Sequence, residues 1–341
     1  MKKKKTFLNC IFLLICFILT LYYVFEDQDL PQLLAYVRQA RSAYWLAGVG
    51  LVVLFILSES VIIWYLMKSL KQKVHLGHCC LYSFVGFFFS LVTPSASGGQ
   101  PAQVVFMKKD RLPIHLSTLV LLIVTITYKL VLVIIGLLVL IVRPPLVMGF
   151  LKPAMKWIWL GILLNVVCIS GMLVLVFCPQ AARSLVMFCF RVLKRFVSEG
   201  KIAVLEQKLD RSIESYGEAA HYFGTHKRVM VNVLGITFLQ RCFLFLITYL
   251  VLLSFGLRHV DVIEVVVLQA MISVAVDMLT LPGGMGISEH LFQMIFLPVC
   301  GTVLVTPAMI VSRGISFYTQ LLISAVLTAA AYFIIFRGEK E

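Results

Sequence analysis

The sequence predicts an all-α polytopic membrane protein of six full spans plus two re-entrant helical hairpins, arranged as an inverted-topology repeat. Three observations predict it. Of the 341 residues, 61% are hydrophobic and only 13% charged, with a mean hydropathy of +0.99. The apolar residues lie in long blocks, and two blocks are broken by short runs rich in glycine and proline. About 20 helical residues cross the hydrocarbon, and residues 7–25, 43–67, 114–142, 157–178, 229–257 and 308–336 each supply such a stretch. A β-barrel would read as short alternating segments, which the chain lacks.

The first element, "MKKKKTFLNCIFLLICFILTLYY", has the basic start and apolar core of a signal peptide. The core runs on through Tyr22, Tyr23, Val24 and Phe25 with no small-residue cleavage site, so it reads as a retained span. After the second span comes "CCLYSFVGFFFSLV", residues 79–92, only 14 residues long. That is about 21 Å of helix, past the midplane but short of a crossing. It runs into "TPSASGGQPAQ", residues 93–103. Non-helical backbone at that depth needs protein or a water-filled cavity around it. A second break, "DMLTLPGGMGISEH" (residues 277–290), separates apolar runs 262–281 and 291–305. Two full spans or one hairpin leave the later topology alike; the hairpin is preferred because it matches the first half.

Cations set the orientation. With the amino terminus in the cytoplasm and residues 79–107 entering and leaving on one side, 21 of the 30 Lys and Arg residues are cytoplasmic. Six are outside (Arg38, Arg41, Arg143, Lys152, Lys156, Arg258) and three lie within spans. This is the positive-inside bias; a full crossing at 79–107 would turn the nine-cation stretch 179–228 outward. Both termini are therefore expected in the cytoplasm, in a bacterial inner or plasma membrane. Each half then reads span, span, re-entrant pair, span, beginning on opposite sides, an arrangement many transporters share. The organisation expected is a first membrane half at 1–178, a basic cytoplasmic loop at 179–228, and the rest of the second half at 229–341, which also takes in span 157–178. Within the loop, Ile202, Leu205, Leu209, Ile213 and Tyr216 recur every three or four residues, the pattern of an amphipathic helix.

Composition also narrows the chemistry. The net charge of +14 follows topology and does not point to nucleic acid. The nine cysteines form no CxxC pair and suit packing inside helices. His75, His78 and Cys79 fit an interfacial segment better than a metal centre, which wants four ligands. No cofactor and no metal are expected. A P-loop, an HExxH or DxD motif and a nucleophile–base pair are all missing from the sequence, which argues against ATP drive and against catalysis.

Six ionisable residues fall at membrane depth: Glu59, Lys129, Arg241, Asp277, Glu289 and Arg313. Such charges must pair or face a cavity, and three of each sign allow a purely structural account as three ion pairs. Their company argues for more. A helix restarts after each break, at Gln100/Pro101 and at Ser288, presenting free N–H groups and a positive dipole end. Pro94, Gly98, Gly99, Pro282, Gly283, Gly284 and Gly286 let the preceding backbone curl about a ligand, although paired glycines also serve close helix packing. Two such starts flanked by Lys129, Arg241 and Arg313 make a candidate anion site, with Gln100, Ser288 and Glu289 beside it. Glu59 and Asp277 are candidates to meet an ammonium or carry a proton.

"TPSASGGQPAQVVFMKKDRLP", "LPGGMGISEHLF" and Arg313 in "VSRGISFYTQLL" resemble the lysylphosphatidylglycerol synthase transmembrane-region family. This is the flippase-like module of bacterial multiple peptide resistance factors, also found alone. The resemblance covers about residues 6–336. It implies movement of an anionic or aminoacylated phospholipid of the lysyl-phosphatidylglycerol type, or of a polyprenyl-phosphate lipid, between leaflets. It also carries associations with lipid metabolism and antibiotic resistance, and the label phosphatidylglycerol lysyltransferase. The chain stops five residues past its last predicted span, at Glu341, so the soluble aminoacyl-transferase domain of the full-length factors is not expected. Expected partners are the lipid itself, a separate lipid synthase and a second copy of the chain. Two other functions stay open: a membrane enzyme modifying a lipid, and an ion-coupled importer of a small anion.

Overall fold

The computed structural model describes residues 42–93, 96–178, 213–279 and 286–337, with isolated positions 31, 180, 181, 183, 184 and 187. The predicted first span, Pro94, Pro282, Gly283, Gly284 and most of the predicted amphipathic loop helix lie outside the described residues. Every regular element among those described is helical.

Helix α1, Ser42–Ser69, ends with Lys68 in its last turn, and Lys71 at φ 58° turns the chain through Gln72 N–H to Met67 C=O. Helix α2, Leu76–Val92, stops at Thr93, whose N–H and hydroxyl both donate to Phe89 C=O. Helix α3, Gly99–Lys109, ends at Asp110 and a left-handed Arg111. Helix α4, Ile114–Val142, starts after Pro113, which suits a helix entrance because its missing N–H would be unpaired there. It ends at a left-handed Arg143 followed by two prolines.

Helix α5, Pro145–Leu151, passes through a 3₁₀ turn into α6, Met155–Phe177. Residues 213–225 form α7, and Lys227–Ser254 form α8. Helix α9, Val262–Val276, is capped by Asp261, which accepts from the N–H groups of Ile263 (2.9 Å) and Glu264 (3.1 Å). Helix α10, Ile287–Arg313, is broken at Gly301 (φ 73°, ψ 170°), and a π-turn, Gly314–Thr319, leads into α11, Gln320–Arg337.

Among the described residues, five stretches are long and apolar enough to cross a membrane: Ala43–Ser69, Ile114–Val142, Pro145–Phe177, Lys227–Ser254 and Ile287–Ile335. They coincide with five of the six predicted spans. The last is longer than predicted because α10 and α11 join in one apolar run, which Gly301 interrupts. Apolar α2 and α9 are shorter, at 17 and 15 residues, or about 26 and 22 Å of helix.

Two contacts show where the chain doubles back. Asp110, at the end of α3, pairs with His78 Nδ1 at 2.6 Å and accepts from the Tyr82 hydroxyl, both in the first two turns of α2. So α2 and α3 form a hairpin whose open ends lie together. Likewise Arg313 reaches back to Glu289 at 2.7 Å, although a straight helix would hold them about 36 Å apart. Gly301 lies midway between them in sequence, so α10 folds there into two arms, 287–300 and 302–313.

Glycines permit the closest approaches. A side chain at Gly99 would strike Ser90 Oγ and the Gly86 carbonyl, and one at Gly86 would strike Gln103. The glycine pair at 98–99 therefore presses α3 onto α2. Gly161 gives α6 the same access to the backbone of α9 at Val274 and Ala275.

The packing of the helices is reciprocal. Helix α1 lies along α8; α2 packs on α1 and α11, while α9 packs on α8 and α4. Helix α7 buries Tyr216, Ala219, Ala220 and Phe223 against the cluster that holds Val176 and Val233. The Tyr216 hydroxyl donates to Leu175 C=O at 3.0 Å, and burial pushes that phenol up to about 12, so it stays a donor at neutral pH. The amphipathic helix expected in the basic loop is thus seen from residue 213 onward, docked beneath the bundle.

Candidate functional site

The buried charges gather at the middles of the long helices. Arg241 sits at the centre of the 28-residue α8, Tyr128 and Lys129 at the centre of the 29-residue α4, and Glu59 one turn from the centre of α1. Residues flanking both breaks meet the same turn of α4. Gln100, in the first turn of α3, donates to the Thr125 hydroxyl, and Asp277, at the end of α9, accepts from Lys129 Nζ at 2.6 Å. Lys129 Nζ also lies 3.0 Å from Met278 Sδ. Thr125 and Lys129, four residues apart, share one face of a helix.

Arg241 is 1% exposed, and its guanidinium carbon lies 2.9 Å from the centre of the Tyr128 ring. The stacking holds the guanidinium plane without engaging its N–H groups. Nε and Nη2 are buried and meet no acceptor among the described residues. Glu59 and Asp277 are its acidic electrostatic neighbours, at longer range than a hydrogen bond. An unpaired buried donor costs about 1–3 kcal/mol, so a native site with two of them calls for an explanation.

Glu59 accepts from Gln103 Nε2 at 2.9 Å. Gln103 is itself 3% exposed, seated in the notch that Gly86 leaves open. Glu59 keeps intermediate accessibility, less enclosed than Gln103 and Arg241 beside it.

Arg313 belongs to a second group. Its Nε donates to Glu289 Oε1 at 2.7 Å and its Nη2 to Ser288 Oγ at 2.5 Å, while Ser288 donates to Glu289 Oε2 at 3.1 Å. Ser288 and Glu289 open α10 just after Gly286, whose φ of 83° favours glycine.

The predicted residues thus divide. Gln100, Lys129, Arg241, Asp277 and Glu59 converge at mid-helix depth; Ser288, Glu289 and Arg313 form a clasp of their own; Gly98 and Gly99 serve hairpin packing. The helices restart at Gly99 and Ile287, one residue before the predicted positions. Of the three ion pairs a structural account would need, two are formed, and Glu59 and Arg241 are not hydrogen-bonded to each other. Sequence reasoning passed over Gln103, Tyr128 and Thr125. Gln103 had a signal, since it follows Gly99 by one turn in the broken segment. Tyr128 had none beyond its place next to Lys129. Among the described residues no group of three His, Cys, Asp or Glu side chains could hold a metal; His78 is engaged with Asp110.

A groove of about 670 Å³ opens on the apolar flank, lined by Leu137, Ile141, Arg143, Met148, Met155 and Trp159. It begins two turns along α4 from Lys129.

No curated protein matches the chain at a significant level. The family described as "Lysylphosphatidylglycerol synthase TM region" matches residues 9–324, nearly the whole length. That extent takes in both hairpins and every buried charge described above, and the chain belongs to the lysylphosphatidylglycerol synthase transmembrane-region family.

Proposed function

We propose that this protein moves an anionic phospholipid between the two leaflets of a bacterial cell membrane, binding the phosphate at Arg241 and Lys129 while the acyl chains stay in lipid. The observation that carries the reading is Arg241: a guanidinium at the middle of a spanning helix, 1% exposed, with two N–H groups that meet no acceptor among the described residues. Phosphate oxygens are the acceptors a guanidinium fits best. Lys129 is already balanced by Asp277 and adds a second cation that can turn toward the ligand.

The architecture supports transport. Helices α2 and α9 are shorter than the roughly 20 residues of an ordinary crossing, and residues beside both breaks meet α4. The reciprocal packing, α2 on α11 against α9 on α4, is what two halves inserted in opposite senses would give. In that reading α2/α3 dips in from the cytoplasmic face and α9/α10 from outside. Chain termini lie in the cytoplasm. The groove beside Arg143 is lined mostly by apolar side chains, which suits acyl chains better than a water-soluble anion. Aminoacylated phosphatidylglycerol and polyprenyl phosphates share the phosphate this site addresses. An ammonium on the head group would meet Asp277 or Glu289.

Reconstitution tests this. The full chain in phosphatidylcholine vesicles carrying a trace of fluorescent phosphatidylglycerol should accelerate its exchange between leaflets, read by quenching from outside. Folded protein that leaves the exchange rate at that of protein-free vesicles refutes the proposal. Mass spectrometry of the same lipids separates transport, which makes no new species, from lipid modification.

A further inference from the structure

We infer that Glu59 takes up a proton as the anionic head group binds Arg241, so that lipid and proton cross together without net charge. The inference rests on the lipid-transport reading and adds its energy source.

Charge balance carries the argument. Around Arg241 the structure gathers two acids, Glu59 and Asp277, and two bases, Arg241 and Lys129. With all four ionised the cluster is neutral. A phosphodiester arriving at the free N–H groups of Arg241 adds one negative charge in a place where uncompensated charge is strongly disfavoured. A proton on one acid restores neutrality. Asp277 is the poor choice, since Lys129 holds it directly at 2.6 Å. Glu59 has no cation in hydrogen-bond contact; its partner is the Gln103 amide at 2.9 Å. That partner serves both forms of the acid, donating to a carboxylate oxygen or to the carbonyl oxygen of the neutral acid.

The surroundings of Glu59 agree. Gln103 faces it from α3 and Arg241 from α8; Tyr128 and Lys129 of α4 and Asp277 of α9 stand beyond the guanidinium. Helix α2 approaches through Gly86, against Gln103. The π-turn touches α1 at Gly48, through Ile315, three turns away. The proton reaches Glu59 from the side on which the residue keeps its intermediate accessibility. In the cycle, the carboxylate takes a proton from water on the acidic side, and releases it to water on the other side once the lipid has left.

The test uses the same vesicles with an imposed gradient and protein-free vesicles as the blank. A one-unit pH difference should hold about a tenfold excess of fluorescent phosphatidylglycerol in the leaflet facing the alkaline compartment, since one proton travels per lipid. Reversing the gradient should reverse the excess, and a potassium diffusion potential should not shift it. No protein-dependent exchange at all would sink the transport reading. Exchange that equalises under either gradient, or follows the potential, leaves that reading standing and overturns the coupling. In Glu59→Gln, whatever exchange survives should equalise under both gradients; a tenfold excess in this variant puts the proton elsewhere. A monodisperse, helical Glu59→Gln protein that exchanges nothing places Glu59 in the anion site and removes it from coupling. Uptake of radiolabelled inorganic phosphate in parallel separates a soluble anion from a lipid head group.

Discussion

Arg241→Met distinguishes a ligand-binding arginine from a structural one. Nε and Nη2 lack acceptors among the described residues, a burden on the order of 2–6 kcal/mol at 1–3 kcal/mol for each unpaired donor. Stacking on Tyr128 at 2.9 Å offsets about 2 kcal/mol of that, and attraction to Glu59 and Asp277 offsets more. Methionine fills similar space with no donors. The opposing contributions leave a net change of about 2 kcal/mol or less, which is roughly 4–8 °C in Tm. Lipid exchange should respond quite differently. Two charge-assisted hydrogen bonds to phosphate are worth about 1.5–3 kcal/mol each, so their loss should slow exchange by two to four orders of magnitude. Arg241→Lys keeps the charge but not the planar fork, and should fall between. Thermal unfolding in detergent and the vesicle assay provide the two readings. A Tm drop beyond about 15 °C with exchange within threefold of wild type would show that Arg241 holds the bundle together and that the anion binds elsewhere.

Further outcomes follow from other contacts. Removing either partner of the 2.6 Å Lys129–Asp277 pair should destabilise by about 3–5 kcal/mol. The double change Lys129→Met with Asp277→Asn should restore most of the Tm but not exchange. Gly99→Val drives a side chain into Ser90 and the Gly86 carbonyl, and should lower stability by about 1–3 kcal/mol or more through overpacking, seen as a fall in Tm. Gly149→Val, where a β-carbon meets open space, should leave the Tm nearly unchanged. For topology, single cysteines at Lys108 and His221 in a cysteine-free background should label from the cytoplasmic side, and one at Arg258 from the opposite side. Lys108 and His221 labelling from different sides would refute the hairpin reading of 76–109.

Much of this was written in hydropathy. Apolar block length located five of the spans, and the proline–glycine breaks located two helix starts to within a residue. Those signals are local, which is why one sequence carries them. Pairing is not local. Lys129 meets Asp277 across 148 positions, and nothing near either residue selects that partner over Glu59 or Glu289. Gly98 and Gly99 are ambiguous in the sequence for a related reason. A glycine that bends around a ligand and one that admits a neighbouring helix look alike until Ser90 and Gly86 are placed beside it. The fold at Gly301 also escaped notice, because "VCGTVL" stays apolar through the turn and leaves no polar mark.

That bend has a mechanical consequence. Arg313 and Ser288–Glu289 latch the two limbs of α10 together, with Gly301 as the elbow and the π-turn as a second, softer joint just beyond the latch. Loss of that latch would let the limbs part at Gly301 without breaking the backbone bonding within either one, so the angle between them hangs on side chains alone.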